Sequence, residues 1–291
     1  MLYNNKYNDK KNTSTFHLAW SSDTHFNFAN QKRIAKFCED LLDSKASTLL
    51  LTGDIAESDT LVKYLKLISS KLGPTFHIYF ILGNHDYYKS SIPEVNNTIL
   101  QEFGISKHPN IHWLTSETYV ELTPTTALVG NENWWDGKAG NLNSLGILDG
   151  LIMAPDYTLI KDFSFMKKEE RFKVLETIAN NSTKNILEKL RRGFDKYHTI
   201  YLALHVPPFE DACVHNRKIM EPNWLPHFCH KDLGDKLMDF MSERPEKELV
   251  VLAGHTHENI TIKPLENIKV KVAHASYFQP EVHKIIKISD L

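Results

Sequence analysis

Cysteine is scarce in this chain of 291 residues: Cys38, Cys213 and Cys229 lie far apart, with no C-x-x-C pair among them. Three scattered thiols make a disulfide framework the wrong expectation and a reducing cytoplasm the expected compartment. No uninterrupted apolar run reaches the roughly 20 residues a membrane-spanning helix needs. Charge of one sign is missing too, since 34 Lys+Arg face 36 Asp+Glu for a formal net charge of −2. Such a balance exerts no overall pull on nucleic acid or anionic lipid, so neither is an expected partner. Repeats and low-complexity tracts are absent. The opening stretch, residues 1–14, is rich in Asn, Lys and Asp, and reads as a solvated polar tail rather than a signal peptide.

What the chain does have is histidine: 15 residues, about double the ordinary share for this length. Histidine is the commonest metal ligand and exchanges protons near neutral pH, so its placement decides the reading. Hydrophobic residues at 42% and charged residues at 24% are ordinary globular values. Residues 15–291 are expected to form one domain. Short apolar runs alternate with amphipathic stretches. Thr15–Trp20, Thr48–Thr52, Phe76–Leu82, Thr199–Leu204 and Leu249–Ala253 read as buried strands. Asn30–Asp43, Thr60–Leu72 and Glu94–Phe103 carry apolar residues at helical spacing, which predicts an α/β layer architecture. Shorter strands are expected near 111–114, 118–122, 127–130, 260–262, 269–273 and 283–288. Residues 131–197 differ: a loop-like Trp-rich run leads through a polar stretch into a helical segment near 167–191, and reads as an inserted, partly helical cap.

Each of the five strongest strands ends in ligand-capable residues. They are Asp23-Thr24-His25, Gly53-Asp54, Gly83-Asn84-His85-Asp86, His205, and Gly254-His255-Thr256-His257. The carboxyl ends of strands form the ligand-binding rim of an open α/β sheet. On extended backbone the i, i+2 pairs Asp23/His25 and His255/His257 would each face one side. Singly these motifs are weak, because Gly-Asp after a strand is usually a turn. Jointly, Asp23, His25, Asp54, Asn84, His205, His255 and His257 supply seven N/O donors, enough for two divalent cations sharing one carboxylate. Buried charged and imidazole groups on this scale need partners or metals.

The ordered set D-x-H, G-D-x-x-E, G-N-H-D, a lone His after a strand, and G-H-x-H resembles the calcineurin-like metallophosphoesterase superfamily. The likeness implies a four-layer α/β/β/α sandwich, with two mixed β-sheets flanked by helices. It further implies one metal on Asp23, His25, Asp54 and His257 and a second on Asp54, Asn84, His205 and His255, with Asp54 bridging. Mixed N/O ligands suit Mn, Fe, Zn, Ni or Co. The implied reaction is in-line attack of a metal-bridging hydroxide on phosphorus, with His85 protonating the leaving group and Asp86 holding its ring. Glu57 is expected either behind the ligands or as a helix cap, while Trp134, Trp135 and Asp136 would form a lid or platform, or else pack as core. His227, Cys229 and His230 imitate a metal cluster but lack a distant fourth partner, so no structural zinc is expected.

The expected function is a hydrolase acting on a small soluble phosphomonoester or phosphodiester of nucleotide-like kind, as a phosphatase or phosphodiesterase. The alternatives are a DNA-processing nuclease of the same superfamily and a non-catalytic scaffold. The nuclease would need a basic groove beside the metals, and the scaffold would be expected to have lost ligands.

Overall fold

The computed structural model describes residues 15–141 and 155–289; the expected polar tail over 1–14 lies outside the described residues. Strands β1 (Phe16–Ser21), β2 (Thr48–Thr52), β3 (His77–Ile81), β4 (Ile111–Trp113) and β13 (Lys284–Ile288) form one sheet in the order β13-β1-β2-β3-β4. Three of its four pairings are parallel, and β13 closes the edge antiparallel. Strands β5 (Val120–Thr123), β6 (Thr126–Gly130), β7 (Thr199–Ala203), β10 (Glu248–Ala253), β11 (Ile260–Leu265) and β12 (Ile268–Val272) form the other, in the order β11-β12-β10-β7-β6-β5. Here too the middle is parallel and both edge strands are antiparallel. A short hairpin, β8 (Val214–His215) with β9 (Lys218–Ile219), stands apart.

Alternation along the strands builds the layers. Leu18, Trp20, Leu50 and Ile81 of the first sheet meet Leu128, Ala203 and Leu252 of the second in one apolar layer between the sheets. Their neighbours Ala19, Leu49, Leu51, Ile78 and Phe80 face the opposite way. They pack under helices α1 (Gln31–Asp43), α2 (Leu61–Leu72) and α3 (Ile92–Phe103), which contribute Phe37, Leu41, Leu65, Ile68 and Ile99. Each helix has a buried stripe at three- to four-residue spacing, and two have side-chain N-caps. Asn30 accepts from the Arg33 amide, and Ser91 forms a capping box with Glu94. The outer face of the second sheet, with Ile200, Leu202 and Val251, lies under α5 (Lys168–Phe194) and α6 (Lys231–Ser242). The four-layer α/β/β/α sandwich is therefore present.

Within 131–197 the described residues hold a single turn of helix, α4 (Asp156–Leu159), and α5, while 142–154 lie outside the described residues. Ile186, Leu190 and Phe194 at the end of α5 sit on the second sheet, whereas Leu175 joins Trp134, Tyr157 and Phe163 against the first sheet's cluster. Among the described residues no helix is long and apolar enough to cross a membrane.

Candidate metal centre

The carboxyl ends of β1, β2, β3, β7 and β10 deliver the predicted residues to one place. Three donor groups there have ligand atoms within 4.8 Å of one another: Asp23/His25/His257, His25/Asp54/His85 and Asp23/Asp54/His205. Extended backbone does not align the i, i+2 pairs, contrary to expectation. Asp23, His25, Asp54, His255 and His257 all have positive φ, between 41° and 69°. A left-handed turn at each residue aims successive side chains inward, at a cost of about 1 kcal/mol apiece for a residue with a Cβ. Glycines permit the crowding. A Cβ on Gly53 would collide with the His205 ring, and one on Gly254 with the Asp23 carboxylate.

The two oxygens of Asp54 are divided. Oδ1 lies 3.4 Å from His205 Nε2 and accepts the His85 amide at 2.9 Å. Oδ2 lies 3.9 Å from His25 Nε2 and 3.8 Å from His85 Nε2. Asp23 Oδ1 is 3.2 Å from His257 Nε2, and the Asp23 carboxylate accepts the His255 amide, which ties the two sheets together. His205 Nδ1 donates to the Thr52 carbonyl at 2.9 Å, turning Nε2 toward Asn84 Oδ1 at 3.0 Å. That carbonyl contact is the usual device for fixing a ligand imidazole's tautomer. The His255 ring lies between Trp135 (5.6 Å between ring centroids) and Phe228 (4.9 Å), and its Nε2 donates to the His227 carbonyl at 3.1 Å.

Several residues take positions that sequence alone did not disclose. Asp86 does not reach the His85 ring. Its carboxylate accepts the amides of Ile55, Ala56 and Gly83, pinning the second and third loops together. The His85 ring instead stacks on Tyr88 at 4.3 Å, and its Nδ1 is buried without a partner among the described residues. Glu57 pairs with Lys89 at 2.5 Å, outside the donor cluster. Trp134 and Trp135 are buried, and Asp136 accepts the amides of Lys138 and Asp232, so it satisfies the first turn of α6. His230 bonds Thr183, and all three cysteines are free and buried.

Three residues went unrecognised in the sequence. Asp156, at the start of α4, accepts Asn84 Nδ2 at 2.8 Å and the Tyr88 hydroxyl at 3.0 Å. Asn133 accepts the amides of His205 and Val206 and donates to the Val206 carbonyl, which fixes the His205 loop. Tyr277 stacks on His25 with ring centroids 4.5 Å apart. Of these only Asn133 carried a signal, as part of the loop-like run before Gly137.

The cluster gathers the buried carboxylates Asp23, Asp54, Asp86 and Asp156, with no Lys or Arg among the described residues paired to balance them. Burial, then the Asp23 and Asp86 carboxylates, push Asp54 well above the ordinary range. Burial also opposes charge on Asp23, but His257, His205 and His25 together hold it below that range. His25 is driven down to about 2 by burial and by His85, and both its ring nitrogens are buried without a hydrogen bond among the described residues. Orphaned imidazole nitrogens facing two buried carboxylates are the donor set that divalent transition metals take.

Comparison with known proteins agrees with this chemistry. No sequence relative is found among curated proteins. A solved dimetal phosphatase from Danio rerio matches at a TM-score of 0.57 and 11% identity, over 94% of this chain and 95% of that one. A putative 5′-nucleotidase from Staphylococcus aureus matches at 0.48 and 11% identity, over 90% of this chain and 49% of that one. At such identity the first likeness speaks for the fold alone and the second carries no argument. The family model described as calcineurin-like phosphoesterase matches residues 16–259, from the first residue of β1 past the last of the clustered histidines. The chain belongs to the calcineurin-like phosphoesterase family.

Proposed function

We propose that this protein is a binuclear metal-dependent phosphoesterase that hydrolyses a small phosphomonoester or phosphodiester. The observation that carries the reading is the divided Asp54 carboxylate, one oxygen toward His205 and the other toward His25 and His85. A carboxylate so placed suits a bridge between two cations. One cation would be held by Asp23, His25, Asp54 and His257, the other by Asp54, Asn84, His205 and His255. Since His255 Nε2 is engaged by a carbonyl, Nδ1 is the atom that ring offers. When bound, such a pair of cations neutralises charge on phosphoryl oxygens and makes water acidic enough to act as a nucleophile.

The remaining work falls to the chain itself. His85 lies in a donor group with His25 and Asp54 but takes no part in either proposed ligand set. Burial lowers its imidazole to about 4, so it holds a proton weakly until an anionic substrate arrives. It is the proposed donor to the leaving-group oxygen. Tyr88 stacks beneath it and Asp86 fixes the loop that carries it, so the ring's position is set by packing rather than by a carboxylate partner.

Metal analysis of the purified protein, paired with hydrolysis of p-nitrophenyl phosphate, its bis-ester and cyclic nucleotides after Mn²⁺ addition, tests this. Up to two metal equivalents and metal-dependent turnover are expected. A metal-free preparation with full activity would sink the mechanism. Metal binding with inactivity on every ester would move the protein to the scaffold class.

A further inference from the structure

The rim of the candidate centre carries an aromatic surface to which nothing above gives a task. Phe28, Tyr277 and Phe278 stand side by side with 38%, 42% and 58% of their surfaces exposed. Tyr277 stacks on His25 at 4.5 Å and lies 5.3 Å from His257 and 6.3 Å from His85, centroid to centroid. Phe28 is 6.0 Å from His25, meets Tyr277 edge-on at 5.7 Å and lies 5.9 Å from Phe278. The rings come from loops about 250 residues apart, after β1 and after β12, so the fold rather than local sequence assembles them.

Stability does not explain the arrangement. An aromatic ring contributes most by being buried, and these three keep between 38% and 58% of their surfaces in solvent. Phe278 also sits at φ 66°, a conformation that a bulky residue adopts at a cost, and which here leaves its ring in solvent. The loop is nevertheless fixed to the cluster. The His257 carbonyl accepts both His274 Nδ1 at 2.9 Å and the Ala275 amide at 3.3 Å, and Gln279 closes a turn on Ser276 at 3.1 Å. The distance between the rings and His257 is thus held by backbone.

We propose that Phe28, Tyr277 and Phe278 form a stacking ledge for a planar aromatic group carried by the phosphoester, a nucleobase or an aryl ring. The proposal rests on the phosphoesterase reading for the position of the phosphate, which the His and Asp cluster would hold. Tyr277 stacks on His25 and lies 5.3 Å from His257, so the ledge borders the place where that phosphate would sit. Stacking on exposed aromatic faces is tolerant of ring identity, so the ledge selects for aromaticity rather than for one base.

The test uses the Mn²⁺-loaded full chain. Binding of AMP, phenyl phosphate and ribose 5-phosphate is measured calorimetrically, and kcat/KM is measured for AMP, ribose 5-phosphate and glycerol 2-phosphate, whose leaving groups are all alkyl alcohols. The wild type should favour the aromatic ligands about tenfold or more, and Phe278→Ala should erase most of that preference in both measurements. Among the described residues the ring contact of Phe278 is with Phe28 and the side chain is 58% exposed, so its truncation is expected to spare fold and metal content. Phe165→Ala, at an exposed ring elsewhere, should leave the preference intact. AMP favoured over phenyl phosphate would assign the ledge to a nucleobase, and equal preference would assign it to any aromatic ring. A preference for aromatic ligands that survives Phe278→Ala and Phe28→Ala, or no such preference in the wild type, overturns the ledge. Failure to hydrolyse any ester would instead overturn the phosphoesterase reading, and the binding arm would still decide the ledge.

Discussion

Asn84 Nδ2 donates to Asp156 Oδ1 at 2.8 Å, across 72 residues of chain. The contact decides which end of the Asn84 amide faces the cluster. With the nitrogen held outward, Oδ1 is left pointing at His205 Nε2, the orientation that its proposed role as a ligand requires. The same Asp156 oxygen receives the hydroxyl of Tyr88, on which His85 stacks, so one carboxylate orients a proposed ligand and braces the proposed acid.

Asp156→Ala is therefore expected to weaken metal binding about 10- to 100-fold, the usual range when a partner behind a ligand is lost. Asp156→Asn keeps an acceptor for the amide and should recover much of the loss. The check is a Mn²⁺ titration followed by metal content after dialysis. Wild-type affinity in Asp156→Ala would mean that Asn84 is oriented without its help.

His85 is the second case. It belongs to a donor group with His25 and Asp54, yet its roles as ligand and as acid predict different things. For His85→Asn the expected outcome is a fall in kcat of about 10²- to 10⁴-fold with metal content unchanged. Loss of a metal equivalent instead would place His85 among the ligands.

How much of this was legible in the sequence follows from where each signal sits. The five donor-bearing blocks showed because each directly follows an apolar strand, and strand ends in parallel sheets gather at one rim. The backbone that aims them did not show. Left-handed φ at Asp23, His25, Asp54, His255 and His257 is uncommon for any residue with a Cβ, and although Asp and His adopt it more readily than most, no local sequence rule marks these five. Asp156 was hidden because nothing near it in sequence marks it, and its partner lies a whole sheet away. Tyr277 and Phe278 looked like any loop aromatics until β12 brought them beside Phe28. Helix α6 was also missed. It opens after His230, which gives it no side-chain cap, and contains Gly234, a helix-weakening residue required because a Cβ there would strike the Pro208 carbonyl.

A third prediction concerns pH. His230 is fully buried, its Nδ1 has no partner among the described residues, and burial lowers its imidazole to about 3. The unfolded chain binds a proton near pH 6.5 and the folded one does not until about pH 3, so stability should fall as pH drops through that window. Between pH 7.5 and 5.5 the loss from this residue is about 1 kcal/mol. Thermal melts of the wild type and His230→Gln across that range should show a shallower decline in the variant. Parallel declines would mean that other groups set the acid limit.

The sharpest prediction is a reversal of sign at Asp54. Without metal, this carboxyl is buried beside Asp23 and Asp86 and is pushed well above the ordinary range, so its charged form opposes folding. Asparagine can still accept the His85 amide, as Asp54 Oδ1 does, while carrying no charge. Asp54→Asn should then leave the metal-free protein as stable as the wild type or more so. With metal present the order inverts. A ligand bound only by the folded state at a hundredfold excess over its Kd adds about 2.7 kcal/mol, and the bridging carboxylate is what would secure that binding. Wild-type Tm should rise on adding Mn²⁺ and fall on chelation, whereas Asp54→Asn should respond weakly to both. Equal Mn²⁺ responses in the two proteins would remove Asp54 from the bridge and, with it, the observation on which the two-metal reading rests.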